Sequence, residues 1–374
     1  MTPRISADFD SGNINVVAIG DTSCDLEIIV DKDSDFYQWF YFRVDGALDQ
    51  TIELRITNAG GAAYPAGWPG YRACMSTDNE SWVRTDTSYD NGVLTIRHKM
   101  TASPAWFAYF APYSSERHHE LIARYAEAPG VRHTVLGKTL DGRPLDLLTM
   151  GEGATSVWIY ARQHPGETMA EWWMEGALAA LTADTPQAAS LRNAATLYVV
   201  SNMNPDGSAR GHLRTNAAGV NLNREWIAPS LERSPEVFYV LREMERTGVD
   251  FSLDVHGDEA IPHVFAAGFD GIPSLKPEQT ALFETYCSSL KARTPDFQTQ
   301  AGYPKNPPGQ ANLTISTNQM VERFGGVGLT LEMPFKDHDD NPDPVHGWSP
   351  DRSRALGEDC IAVLADMIDV FARS

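Results

Sequence analysis

The sequence is poor in cysteine, short of positive charge and free of long apolar runs. Its four cysteines, Cys24, Cys74, Cys287 and Cys360, are scattered and none stands in a Cys-x-x-Cys pair. In a chain long enough to bury a sizeable core this reads as reduced, buried thiols, not a disulfide scaffold. Lys and Arg number 30 against 50 Asp and Glu, a formal charge of −20. Such a surface repels phosphate backbones and anionic headgroups, so neither nucleic acid nor a membrane surface is the expected partner. No stretch approaches the roughly 18 apolar residues of a membrane span. Residues 1–20 carry Asp8 and Asp10 and lack the basic start and apolar core of a secretory leader. The expected location is the cytoplasm. No basic tail, internal repeat or low-complexity tract is present, and nothing in the sequence reports subunit number.

What is there falls into two unequal halves, about one third and two thirds of the chain. The first reads as strands. Residues 50–58 alternate, with Ile52, Leu54 and Ile56 on one face and Glu53, Arg55 and Thr57 on the other. Residues 36–44 are aromatic and β-favouring, and 26–30, 93–99 and 106–110 are further short runs between Gly-, Pro-, Asn- and Asp-rich turns. Many short strands without a convincing helix predict an antiparallel β-sandwich over residues 1–112. From residue 113 to 374 the pattern changes to strands alternating with helices. Strands are expected at 155–161, 196–201, 249–255 and 327–333, and helices at 167–183, 234–246, 276–293 and 350–371. Ser234-Pro235-Glu236 and Ser349-Pro350-Asp351 each look like an N-cap, a first-position proline and an early acid. The fold class is therefore α/β, a mixed, mostly parallel sheet covered by helices on both faces, preceded by the sandwich.

Four places carry chemistry. His164-Pro165-Gly166-Glu167 follows a strand and leads into a helix, so His and Glu three residues apart can face one ion. Alone, the spacing is better read as a turn histidine and a helix-start acid. His256 stands at the end of another apolar strand, where sites gather in open α/β sheets. Together with His164 and Glu167 it makes a His₂Glu set, which leaves a zinc ion one open position. Glu332 lies near the end of the apolar run 327–334, and a carboxylate there is costly unless it faces a cleft, where it could act as a general base. Finally, the long polar segment 204–226 holds Arg210, His212, Arg214 and Arg224, and arginines there can grip a carboxylate with two hydrogen bonds.

In order and context, H-P-G-E at 164–167, N-P-D-G at 204–207, G-H-L-R at 211–214, N-L-N-R at 221–224, His256 and Glu332 resemble the zinc metallocarboxypeptidases of the carboxypeptidase A type. The N-terminal half, with 38–44 and the junction 109–113, is similar to the cytosolic carboxypeptidase subfamily that contains the tubulin deglutamylases. The resemblance covers nearly the whole chain. It implies one zinc ion per chain held by His164, Glu167 and His256, with Glu332 as general base and proton shuttle. It implies Arg214 as the group that polarises the scissile carbonyl, and Asn223 and Arg224 as the pair that holds the substrate's C-terminal carboxylate. Two departures stand out. Asn221 occupies a place where the family often has an Asp beside a zinc-ligand histidine. The family's mobile tyrosine has only an unaligned counterpart in Tyr303.

The expected function is hydrolysis of the C-terminal bond of peptides or protein tails, with acidic residues among those removed. The alternative is a zinc amidohydrolase acting on small N-acyl amino acids, which would need a smaller, closed pocket. A zinc-holding binding protein would need neither Glu332 nor Arg214. For an acidic side chain, Lys305, Arg162, Arg210 and Arg323 are the cationic candidates, with a local cationic pocket expected around Arg210, Arg214 and Arg224.

Overall fold

The structure, a computed structural model, describes residues 2–372. The alternating stretch forms the strand Thr51–Ile56, with Ile52, Leu54 and Ile56 fully buried. It belongs to one of two five-stranded sheets in the N-terminal half. All pairings there are antiparallel except one, in which Thr51–Ile56 runs parallel to Ser23–Glu27. The aromatic segment contributes a strand only at Tyr41–Asp45; residues 36–40 are irregular, and their aromatic rings serve the core and the site instead.

The second half builds a seven-stranded sheet in the order Val131–Lys138, Pro144–Met150, Ala195–Val200, Thr155–Ala161, Phe251–Asp258, Val327–Pro334, Phe265–Ala267. The four strands from Ala195–Val200 to Val327–Pro334 are mutually parallel. The margins are antiparallel. The expected sheet is thus present, with a parallel centre and antiparallel edges. The central strands are buried on both faces, which is why they read as continuous apolar runs.

Helix Met169–Thr182 packs against both this sheet and the long helix Pro350–Phe371, and is buried almost all round. Two glycines permit the helix contact. A Cβ at Gly176 would lie 2.0 Å from the carbonyl oxygen of Arg354, and one at Gly357 would lie 2.3 Å from that of Trp173. Of the two start signals, Ser349 caps its helix by accepting from the Arg352 N–H. Ser234 precedes the helix Pro235–Thr247 without capping it, because its hydroxyl turns to Glu225 Oε2 at 3.2 Å.

Candidate active site

Three parallel strands bring the chemistry to one edge. His164 lies three residues beyond Thr155–Ala161, and His256 and Glu332 are direct partners across the pairing of Phe251–Asp258 with Val327–Pro334. The turn between strand and ligand is anchored by Arg162, which is buried and adopts a left-handed φ of 59°. Its guanidinium donates to the carbonyls of Pro165 and Tyr113 and pairs with buried Glu171. Glu171 also holds His118 at 2.6 Å. Arg162 therefore braces the ligand loop from behind.

His164, Glu167 and His256 converge within ion-binding reach, all three buried. The two Nδ1 atoms are 3.2 Å apart, and the Glu167 oxygens lie 2.7 Å from His164 Nδ1 and 2.8 Å from His256 Nδ1. Bonds of about 2.0–2.1 Å in a tetrahedral arrangement place donors roughly 3.3 Å apart, so the set fits zinc. Burial, helped by the Arg214 charge, lowers His164 to about 4, which keeps a neutral ring with a free lone pair. Burial would raise Glu167, but the two imidazoles overcome it and hold its carboxyl below the usual range.

The outer nitrogens are treated unequally. His164 Nε2 meets the neutral amide oxygen of Asn221 at 3.1 Å, as the sequence implied. His256 Nε2 instead lies 2.9 Å from the carboxylate of Asp254, which is fully buried and also accepts from Gln163 and Ser316. Asp254 was passed over in the sequence, although residues two apart on a strand share a face. A carboxylate behind a ligand histidine raises its basicity.

These groups open into a cavity of about 830 Å³. Its walls include Glu332, Arg214, Asn223, Arg224 and Tyr303, so the residues expected to handle the proton, the scissile carbonyl and the terminal carboxylate line one space. Glu332 is buried and its Oε2 has no hydrogen-bond partner among the described residues. Burial pushes its carboxyl well up, His256 pulls against this, and Glu167, Asp258 and Glu259 reinforce it. The Tyr303 hydroxyl sits 2.7 Å from Asp258 Oδ2 and 3.2 Å from Glu332 Oε1. Asn223 Oδ1 is fixed by the Ser316 N–H at 2.8 Å. Tyr64, from the N-terminal half, also reaches the cavity, as does Glu259; neither was legible beforehand.

The expected cationic pocket is smaller than the sequence indicated. Arg210 does not face the cavity; it makes a two-fold bond to Asp141 at 2.8 Å through Nε and 2.8 Å through Nη2. Arg323 pairs with Glu245. Arg162 is the internal brace. Only Lys305 of the four candidates lines the cavity, and it lies near Asp270 and Glu284. In a second His-His-Asp grouping, His263, His338 and Asp340, both ring nitrogens of His338 are already engaged. His338 Nε2 bonds the Asp296 carbonyl at 2.7 Å and Nδ1 accepts from the Asp340 N–H at 3.2 Å. No helix among the described residues is long and apolar enough to cross a membrane.

Comparison with known proteins identifies the family. A family described as the cytosolic carboxypeptidase N-terminal domain matches residues 5–110, and one described as zinc carboxypeptidase matches residues 119–261. An uncharacterised protein of Zymomonas mobilis is 60% identical over 370 residues, covering 99% of this chain and 97% of that protein. A solved metallo-carboxypeptidase from Pseudomonas aeruginosa, in complex with (2-guanidinoethylmercapto)succinic acid, shares 45% identity and a TM-score of 0.97, covering 99% of this chain and 100% of that one. Cytosolic carboxypeptidase 1 of Mus musculus is 28% identical over 71% of this chain, which spans only 26% of that longer protein.

Proposed function

The chain belongs to the zinc carboxypeptidase family, and from that premise we propose that it removes C-terminal residues from peptides or protein tails in the cytoplasm, using one zinc ion held by His164, Glu167 and His256. The observation that carries this reading is Glu332. It stands in register with His256, keeps one oxygen without a partner, and shares its cavity with two arginines suited to two different oxyanions. Zinc bound at the triad would supply a Lewis acid and a water of lowered pKa. Glu332 takes the proton of the attacking water and returns it to the leaving amine. Arg214 neutralises charge growing on the former carbonyl oxygen. Asn223 and Arg224 hold the free terminal carboxylate, which an internal peptide bond cannot offer. The cavity exceeds what a small N-acyl amino acid needs, which favours a peptide tail over the amidohydrolase alternative. Removal of acidic residues rests on Lys305, the one further cation on the cavity wall.

The test pairs peptides that differ only in a free or amidated C-terminus. Cleavage confined to the free form is expected, and equal cleavage refutes the reading. Glu332→Gln should lose at least about 10³-fold in kcat while retaining zinc, in line with loss of a general base together with its proton-return step. His164→Ala should lose zinc by metal analysis. Lys305→Ala should lower kcat/KM for a terminal Glu and leave a terminal Ala unchanged; equal effects on both would remove the acidic preference.

A further inference from the structure

The cavity-facing guanidinium of Arg214 makes no hydrogen bond or ion pair with the described residues, yet its surroundings are built with care. Asp31, from the N-terminal half, is fully buried, and no ion pair to it is found among the described residues. Its carboxylate accepts from the backbone N–H groups of Leu213 (2.7 Å), Arg214 (2.8 Å) and Thr215 (2.9 Å), and from the Thr215 hydroxyl (3.1 Å). Two aromatic rings of the same half, Phe36 and Tyr64, stand 5.5 and 5.4 Å from the guanidinium carbon. The preceding residue pairs are tied as well. Lys32 N–H donates to His212 Nε2, and Asn13 Nδ2 donates to the Gly211 carbonyl.

We propose that the N-terminal β-half is a working part of the active centre, with Asp31 as the positioning residue that fixes the backbone of Arg214 and with Phe36 and Tyr64 setting the plane of its guanidinium. A buried carboxylate with four donors is costly to form and costly to disturb, so the segment 213–215 has one preferred geometry. The free donors of Arg214 then point into the cavity without help from the catalytic half. This inference rests on the proposed role of Arg214 in the reaction.

The test uses the full-length, zinc-loaded protein and a fluorescent blocked tripeptide with a free C-terminus. Asp31→Asn keeps the shape but offers an amide N–H to groups that are already donors. It should lower kcat about 10- to 100-fold, as small misplacements at a reacting centre do, with KM within about twofold and zinc content unchanged. In an Arg214→Ala background the same change should add less than about twofold, because both act through one group. Losses that simply add, or an unchanged kcat in folded Asp31→Asn, overturn the proposal. Thr215→Val, which removes one bond of the four, gives a smaller loss of the same kind and covers the case in which Asp31→Asn does not fold. Hydrogen exchange at amides 213–215 reads the clamp without any substrate. Exchange should quicken at least about tenfold in Asp31→Asn, and unchanged protection overturns the clamp. If Arg214→Ala keeps full kcat while exchange still quickens, the clamp stands and it is the role of Arg214 that fails.

Discussion

At the scale of single residues, Glu236 shows what burial does to a carboxyl away from the site. It occupies the first turn of Pro235–Thr247, as the start signal implied, but it is fully buried, with Oε1 unpartnered. Burial pushes its pKa to about 8. A raised acid binds its proton more tightly when folded, so its contribution to stability is full below the usual value near 4.5 and falls as pH rises through 8. Glu236→Gln keeps the shape and removes the charge. Its melting temperature should match the wild type at pH 4 and exceed it increasingly toward pH 8 and above, and a constant difference would refute this account. The metal and proton groups His164, Glu167, His256 and Glu332 were legible because they gather at strand ends of one sheet, and Arg214, Asn223 and Arg224 because they sit in one long polar loop. Asp31 was not legible, because its partners lie about 180 positions away in another layer. Asp254 could have been read from its two-residue offset to His256.

At the scale of elements, long apolar or amphipathic stretches were read well. Thr155–Ala161, Val327–Pro334, Pro277–Arg293 and Pro350–Phe371 all fall within a residue or two of expectation. Among the elements missed, the buried strand Pro144–Met150 is apolar, and the others are short, polar or amphipathic. The helices Ser115–Ala126 and Pro186–Ala194 carry mixed surfaces, and Val131–Lys138 is an edge strand exposed along most of its length. Their order comes from packing, which a local pattern does not report. The pairing of Met169–Thr182 with Pro350–Phe371 yields a sharper expectation. Gly176→Ala gains about 1 kcal/mol in helix propensity but drives a methyl into a backbone carbonyl that has little room to retreat. Overpacking of this kind costs typically 1–3 kcal/mol, so calorimetry should show a lower melting temperature, whereas Ala180→Ser on the less buried side should change little. Because Met169–Thr182 begins two residues after Glu167, Gly176→Ala should also weaken zinc retention during heating.

At the scale of the whole molecule, the charge of −20 first served only to exclude partners. The cavity does not reverse it. Arg210 is spent on Asp141, and the walls carry Glu167, Asp258, Glu259, Asp270, Glu284 and Glu332 against Arg214, Arg224 and Lys305. Approach of an acidic tail is therefore opposed at long range, and kcat/KM for such a peptide should rise as salt shortens the Debye length from about 30 Å at 0.01 M to about 8 Å at 0.15 M. A fall with salt would show that the arginine pair governs capture. The same seam that hangs segment 213–215 on Asp31 is repeated elsewhere. Arg84 donates from the N-terminal half to the carbonyls of Phe335, His346 and Trp348, and Asp10 bonds the Ser115 hydroxyl and N–H at the start of a helix. Seen as a mechanical object, the chain is thus laced across its two halves at several separated stitches. Pulled from both ends in an optical trap, it should rupture in one event, with no plateau in which one half has unravelled and the other still bears load.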